Sequence, residues 1–290
     1  MEAESPYFPV ISVTPERLPV SPVRGPMNEN FKYAAAGVAV VGLTIGGILY
    51  FSQRHAPAPP AEPVVAIPEA APPAPAQDII EHPLAAPEKS APLPALNESD
   101  GPVHGALSEL LGKDPVERFF VPDELVRHLV VTIDNLSTEK VAERIRPLRP
   151  VSGPFAVTGT EDAPVLDPAN YQRYEPLVQL IRTSDTQDLI AAYVRYYPLF
   201  QEAYESLGHP PRYFNDRVIV VIDHLLATPD VHDPIALARP NVQYEFADPK
   251  LEALSAGQKS LIRMGSQNAA IIKQKLREVR SALLAQKPEQ

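Results

Sequence analysis

The sequence predicts a mostly α-helical protein: a single transmembrane helix, a disordered Pro/Ala-rich linker, and a compact C-terminal helical bundle with at most a small β element. Three observations carry this expectation. Tyr33 to Phe51, YAAAGVAVVGLTIGGILYF, runs nineteen residues without a charge. Of the 35 prolines in 290 residues, 12 fall within positions 56–96. Beyond residue 97 the aliphatic residues recur at spacings of three and four, the period of a helix with one apolar face.

Residues 1–32 read as a disordered cytoplasmic tail, because six prolines, mixed charges and few bulky residues leave too little apolar surface to offset chain ordering. Residues 33–53 read as the transmembrane helix, since about 20 residues at ~1.5 Å rise cross the ~30 Å hydrocarbon core. Lys32 and Arg54 bracket it, and Tyr33, Tyr50 and Phe51 stand where interfacial aromatics lie. A cleaved signal sequence fits less well, because the apolar run begins only after 32 residues. Arg17, Arg24 and Lys32 precede the span and only Arg54 closely follows it. That bias places the N-terminus in the cytoplasm, the span in the inner (cytoplasmic) membrane and the C-terminal domain in the periplasm. Gly42 and Gly46 form a small-xxx-small pair, a candidate packing face for a homodimer. Residues 54–96 follow as a spacer. With 12 Pro and 12 Ala between positions 56 and 96, polyproline II is the default conformation, reaching roughly 120 Å if fully extended.

Residues 97–286 are long enough to bury a single core. Val103, Ala106, Leu107, Leu110 and Leu111 keep the helical period up to Gly112. Asp114-Pro115-Val116-Glu117 reads as a cap, a proline at the first helical position and an acid three residues after the cap. Asp123 to Leu136 places Leu125, Leu129, Ile133 and Leu136 on one face. Asp167-Pro168 opens a helix bearing Tyr174, Leu177, Val178 and Ile181. Ser184 to Gln187 reads as a capping box for a segment ending at Leu207-Gly208, with a kink or break expected near Tyr197 because of Pro198. Tyr213 to Ala227 is the most apolar helix. Asp248-Pro249 opens another that Gly265 closes, and Ser266 caps a final helix reaching about Gln286. About seven or eight helices are expected. Gly153 to Thr158 and Val242 to Phe246 are the strand candidates.

Composition excludes several chemistries. The absence of Cys removes disulfides, thiolate metal sites and thiol nucleophiles. A net charge of −10 argues against nucleic acid as a partner. The sequence has no nucleophile elbow, zinc-protease motif or phosphate-binding loop, so no cofactor and no metal are expected. Two sets of residues stand out as candidate sites. Arg173, Tyr174, Asn215, Asp216, Asp223, His224 and Arg263 are the components of a candidate polar pocket, although Arg212 and Asp216 also have the spacing of a surface ion pair. Tyr193, Tyr197, Phe200 and Tyr204 fall on one helical stripe, suited either to the core or to an aromatic platform for sugar rings or a peptide. The last helix combines an apolar seam of Ile272, Leu276, Val279 and Leu283 with a basic back of Lys273, Lys275, Arg277 and Arg280. Docking on its own domain is the expectation, with a partner helix or anionic lipid as alternatives.

The phrases VVTIDNL (130–136), NYQRYEPLV (170–178), YYPLFQEAYESLG (196–208), FNDRVIVVIDHLLATP (214–229) and YEFADPKLEALSAGQKSLIRMG (244–265) resemble the bacterial envelope family called domain-of-unknown-function family 3014. The resemblance covers residues 97–286 and extends to the order of anchor, spacer and domain. It implies no known activity, substrate or catalytic residue. The expectation from the sequence is therefore a membrane-anchored envelope protein that presents a helical interaction domain on a long spacer to a protein partner or the cell wall. The alternative is an enzyme acting on an envelope polymer in an Asp/Tyr-lined cleft.

Overall fold

The computed structural model describes residues 80–85, 92–141, 145–208, 212–240 and 243–286. The tail 1–32, the candidate span 33–53 with Gly42 and Gly46, and most of the 54–96 segment lie outside these residues. Among the described residues no helix is long and apolar enough to cross a membrane.

A 3-10 turn, Leu96–Glu98, leads into α1 (Asp100–Leu111), which buries Val103, Leu107 and Leu111 one turn apart. α2 (Lys113–Phe119) follows directly. Its N-cap is Gly112 rather than Asp114, so the proline sits two positions further into the helix than the sequence suggests. α3 (Leu125–Asn135) begins at Glu124, whose φ of 49° is left-handed. Asp123 does not open this helix. The carboxylate of Asp100 does, accepting the N–H groups of Glu124 at 2.8 Å and Leu125 at 2.9 Å from another helix.

α4 (Ala169–Thr183), α5 (Thr186–Glu205) and α6 (Phe214–Leu226) follow in the chain. The cap of α5 is Asp185, which accepts from the N–H groups of Gln187 and Asp188; the sequence pattern pointed to Ser184, one residue early. Pro198 does not break α5, which runs unbroken for 20 residues. A proline removes one donor, and here it lies on the exposed face of a helix that buries eleven residues, so packing outweighs the lost bond. The single helix expected between Asp248 and Gly265 is two, α7 (Pro249–Glu252) and α8 (Ala256–Arg263). Ser255 restarts the helix with a reciprocal capping box to Gln258. Gly265, at φ 86°, turns the chain into α9 (Ser266–Ala285) against the ring of Tyr171, where a Cβ would come within 2.7 Å.

Nine α-helices are thus present among the described residues. α9 packs along α4, α5 and α6, and α3 packs on α5 and α6 from the other side. Ile272, Leu276, Val279 and Leu283 of α9 are all buried. Its basic back is engaged by the same domain. Lys273 donates to Thr228 O at 2.7 Å and Asp230 at 2.6 Å, Lys275 to Ser184 O at 2.9 Å, and Arg280 to Asp223 at 2.6 Å. α9 is therefore an internal helix.

The β element is more extensive than the two candidate stretches. β1 (Val157–Thr160) pairs antiparallel with β2 (Ala163–Leu166), and β3 (Leu237–Ala238) with β4 (Glu245–Phe246). A Val165–Ala236 bridge joins the two hairpins. They cover a small second core of Leu166, Ile235, Leu237, Phe246 and Ile262, separate from the main helical core. Asn170, 1 % exposed, fastens the approach to β1: its amide donates to Ala156 O at 2.6 Å and its carbonyl accepts from Ala156 N–H at 2.9 Å.

The domain also begins earlier than residue 97. Leu84 and Leu93 pack against the main core and Leu96 is part of it, so the C-terminal end of the segment read as spacer is built into the bundle.

Candidate functional site

The head of α6 receives this incoming segment. Tyr213 caps the helix in extended conformation, and Asn215 and Asp216 occupy its first turn. A carboxylate at this position ordinarily satisfies the free N–H groups of its own helix. Asp216 instead accepts from the chain 134 residues earlier, binding the N–H of His82 with Oδ1 at 2.8 Å and the N–H of Glu81 with Oδ2 at 3.1 Å. Asn215 Nδ2 donates to the carbonyl of His82 at 2.8 Å, and the Tyr213 hydroxyl accepts from Leu84 N–H at 3.1 Å. Every one of these contacts is to main chain. Pro83 lies between them and has no donor to satisfy.

A second layer fixes the three recognition residues. The Tyr197 hydroxyl accepts from Asn215 N–H at 3.2 Å and donates to Gln201 Oε1 at 2.9 Å. Gln201 Oε1 also takes the N–H of Phe214 at 2.8 Å, and its amide donates to Arg212 O at 2.9 Å. The Tyr213 ring lies against Tyr197 with centroids 5.1 Å apart. Burial, with the neighbouring tyrosines, pushes the Tyr197 hydroxyl far above its ordinary pKa, so it stays a neutral donor and acceptor. Asn215 itself is fully buried, and its Oδ1 has no partner among the described residues.

The seven residues of the expected polar pocket do not meet in one place. Asn215 and Asp216 form the site just described, and no ion pair joins Asp216 to Arg212 among the described residues. Asp223 is exposed on the far half of α6 and carries a two-pronged ion pair with Arg280. His224 bonds Ser255 Oγ at 2.9 Å, and its carbonyl accepts from Gln258, tying α6 to the cap of α8. Burial lowers its pKa, and the charge of Arg217 lowers it further. Arg173 projects to the loop before β1, donating to Ser152 O at 3.0 Å and Gly153 O at 2.6 Å. Tyr174 and Arg263 are buried at the seam of the two cores, where the Arg263 guanidinium lies over the ring of Phe246 at 5.0 Å.

The aromatic stripe is interior. Tyr193, Phe200 and Tyr204 are at most 2 % exposed, and Tyr197 is 9 % exposed. Their rings contact one another and Phe214, so they offer no platform to a ligand in solution. The seam positions of a helix facing two neighbours are buried whatever their chemistry, which is why spacing alone suited both roles. Sequence inspection missed Tyr213, Gln201 and the 81–84 segment. The signal available was slight: a Pro-Leu step at 83–84, repeated at 92–93, with both leucines seated on the core.

One other feature is built from the same residue types without forming a site. A cleft of about 270 Å³ beside the start of α1 is lined by Leu96, Ser99, Asp100, Glu124 and Arg127, but of its two carboxylates Asp100 is already used to open α3 and Glu124 lies 3.8 Å from His128. Among the described residues no group of three or more His, Asp or Glu is placed to hold a metal ion.

Comparison with known proteins returned one relationship. The family described as "Protein of unknown function (DUF3014)" matches residues 125–280, which is more than half of the chain and runs from the start of α3 into α9. No curated protein and no solved structure matches. The receiving half of the α6 site lies inside the matched region and the segment bound to it lies outside. On the strength of that match, the chain belongs to the DUF3014 family.

Proposed function

We propose that this protein is a membrane-anchored envelope protein whose C-terminal helical domain is an interaction module, held away from the inner membrane on a proline-rich spacer and directed at a protein partner or the cell wall in the periplasm. The observation that carries the reading is the chemistry of the α6 head. Its polar groups recognise main chain, and they are held in place by the Tyr197–Gln201 layer. The other polar residues of the candidate set engage the domain itself. Asp223 is paired with Arg280, His224 with Ser255, and Arg173 with the loop before β1. An acid–base enzyme would need a carboxylate and the tyrosines to converge on one cleft, whereas here the stripe is buried and Asp223 lies on the surface.

The charge-free run 33–51 supplies the anchor in this reading. Because residues 80–85 are fastened to the domain, the free spacer is residues 54–79, about 80 Å long if fully extended at ~3.1 Å per residue. The compartment is tested with one thiol. The chain has no Cys, and Glu161 is exposed on the β1–β2 turn. Glu161→Cys in intact cells, after permeabilising the outer membrane, should react with a maleimide that cannot cross the inner membrane. Protection until the cells are lysed would place the domain in the cytoplasm and end the envelope reading.

A further inference from the structure

Residues 81–84 meet the bundle as a peptide meets a receptor. The N–H groups of Glu81, His82 and Leu84 and the carbonyl of His82 all have partners on α6 or its cap, at 3.1, 2.8, 3.1 and 2.8 Å. Pro83 contributes no donor, so every main-chain donor of the segment is matched. The Leu84 side chain packs against the main core, giving the segment one apolar anchor. The side chains of Glu81 and Pro83 face solvent and are not read. Such a contact pattern specifies a backbone shape and one apolar position, and it is met by any chain able to present them. A proline in the segment favours the extended form before binding and so lowers the ordering cost.

Two facts indicate that the site is more than a fixed fold contact. Asn215 is completely buried, yet its Oδ1 is left without a partner among the described residues, so the site holds one more acceptor than the present occupant uses. The receiving residues also belong to the family-matched region, whereas the occupant does not.

We propose that the α6 head, Tyr213, Asn215 and Asp216, is a binding site for an extended proline-containing peptide of the form x-x-Pro-apolar. Residues 81–84 fill it in cis, and a partner protein's segment of the same form takes it by displacing them. The proposal rests on the reading of the domain as an interaction module and names the chemistry of its partner. The cis segment acts as a competitor at an effective concentration in the millimolar range, so the site discriminates against weak ligands until the tether is pulled free or outcompeted.

The test uses the full purified chain and a fluorescent peptide of residues 77–86, QDIIEHPLAA. The cis occupant is removed by deleting residues 81–84. Peptide anisotropy should then show saturable binding at least about tenfold tighter than to the unaltered chain. Adding Asn215→Ala to the emptied chain should weaken it again by about tenfold, roughly one or two lost hydrogen bonds. Binding no tighter than to the unaltered chain, with helical circular dichroism retained, overturns the proposal. If the emptied chain does not fold, the unaltered chain carrying a nitroxide at Ile80→Cys decides the matter. Saturating peptide should mobilise the label, and an unchanged spectrum refutes displacement. Because these measurements are made on purified protein, their failure is separate from that of the maleimide experiment, which reads only the compartment.

Discussion

Gly257 and Gly105 are both helical glycines, and replacing each with alanine should shift stability in opposite directions. Alanine is favoured over glycine within a helix by about 0.5–1 kcal/mol, because glycine loses more backbone freedom on folding. At Gly105, in the middle of α1, nothing lies within 4 Å of the added Cβ, so that gain should appear undiminished. At Gly257 the Cβ would stand 2.6 Å from Leu225 Cδ2 and 2.9 Å from the carbonyl oxygen of Leu136. That carbonyl accepts the N–H of Gly257 itself at 3.1 Å, so it cannot retreat without weakening the bond that joins α8 to the end of α3. Leu225 is fully buried and has no solvent to move into. Overpacking of this kind costs about 1–3 kcal/mol, and the propensity gain near a helix start is at the low end of its range. The expected net effect of Gly257→Ala is a loss of about 1–2 kcal/mol, against a gain of about 0.5–1 kcal/mol for Gly105→Ala. Urea unfolding of the two variants, followed by far-ultraviolet circular dichroism, should separate their midpoints on opposite sides of the parent. If Gly257→Ala matches or exceeds the parent, the close approach of α8 to α3 and α6 is wrong.

Asp185→Ala should cost about 1 kcal/mol through loss of the cap of α5, whereas Ser184→Ala, at the position the sequence pattern favoured, should cost clearly less in the same urea titration. Equal losses would mean that the helix starts one residue earlier. His224 supplies a pH dependence. Its pKa is lowered in the fold by burial and then by Arg217, so the unfolded chain binds the proton more readily. The group's contribution is complete above its ordinary value near 6.5 and is lost as the pH falls below it. Between about pH 7 and 5 the urea midpoint should fall, and His224→Gln, which keeps a partner for Ser255, should flatten that slope; an unchanged slope would remove His224 as its source.

Most helices are legible because their determinants are local. Val103, Leu107 and Leu111 repeat every fourth residue, and Val218, Ile219, Ile222 and Leu225 mark the buried face of α6 in the sequence itself. Helix ends were less legible, since a cap is defined by backbone angles and by which oxygen reaches the free N–H groups. Ser184 and Asp185 are both competent caps by type and both extended, and only the reach of the Asp185 carboxylate to the N–H groups of Gln187 and Asp188 selects it. The start of α3 is set from outside altogether, by Asp100 on α1. Pro198 shows the opposite balance, a local breaking signal overridden by the burial of its helix.

By itself the sequence determined the helical class of the C-terminal domain and the family, because apolar period and short phrases are properties of neighbouring residues. Only the tertiary structure decided what the polar and aromatic residues do. Asp216 has the spacing to pair with Arg212 four residues away, yet it binds the amides of Glu81 and His82, since two aligned main-chain donors brought within 3.1 Å offer more than one exposed, solvated cation. The tyrosine stripe is core because α9 and α6 cover α5, a fact that no period on α5 alone contains. A hydrogen bond to a backbone leaves no mark on the residue type that provides it, so a site that reads main chain stays hidden until the two segments are seen together.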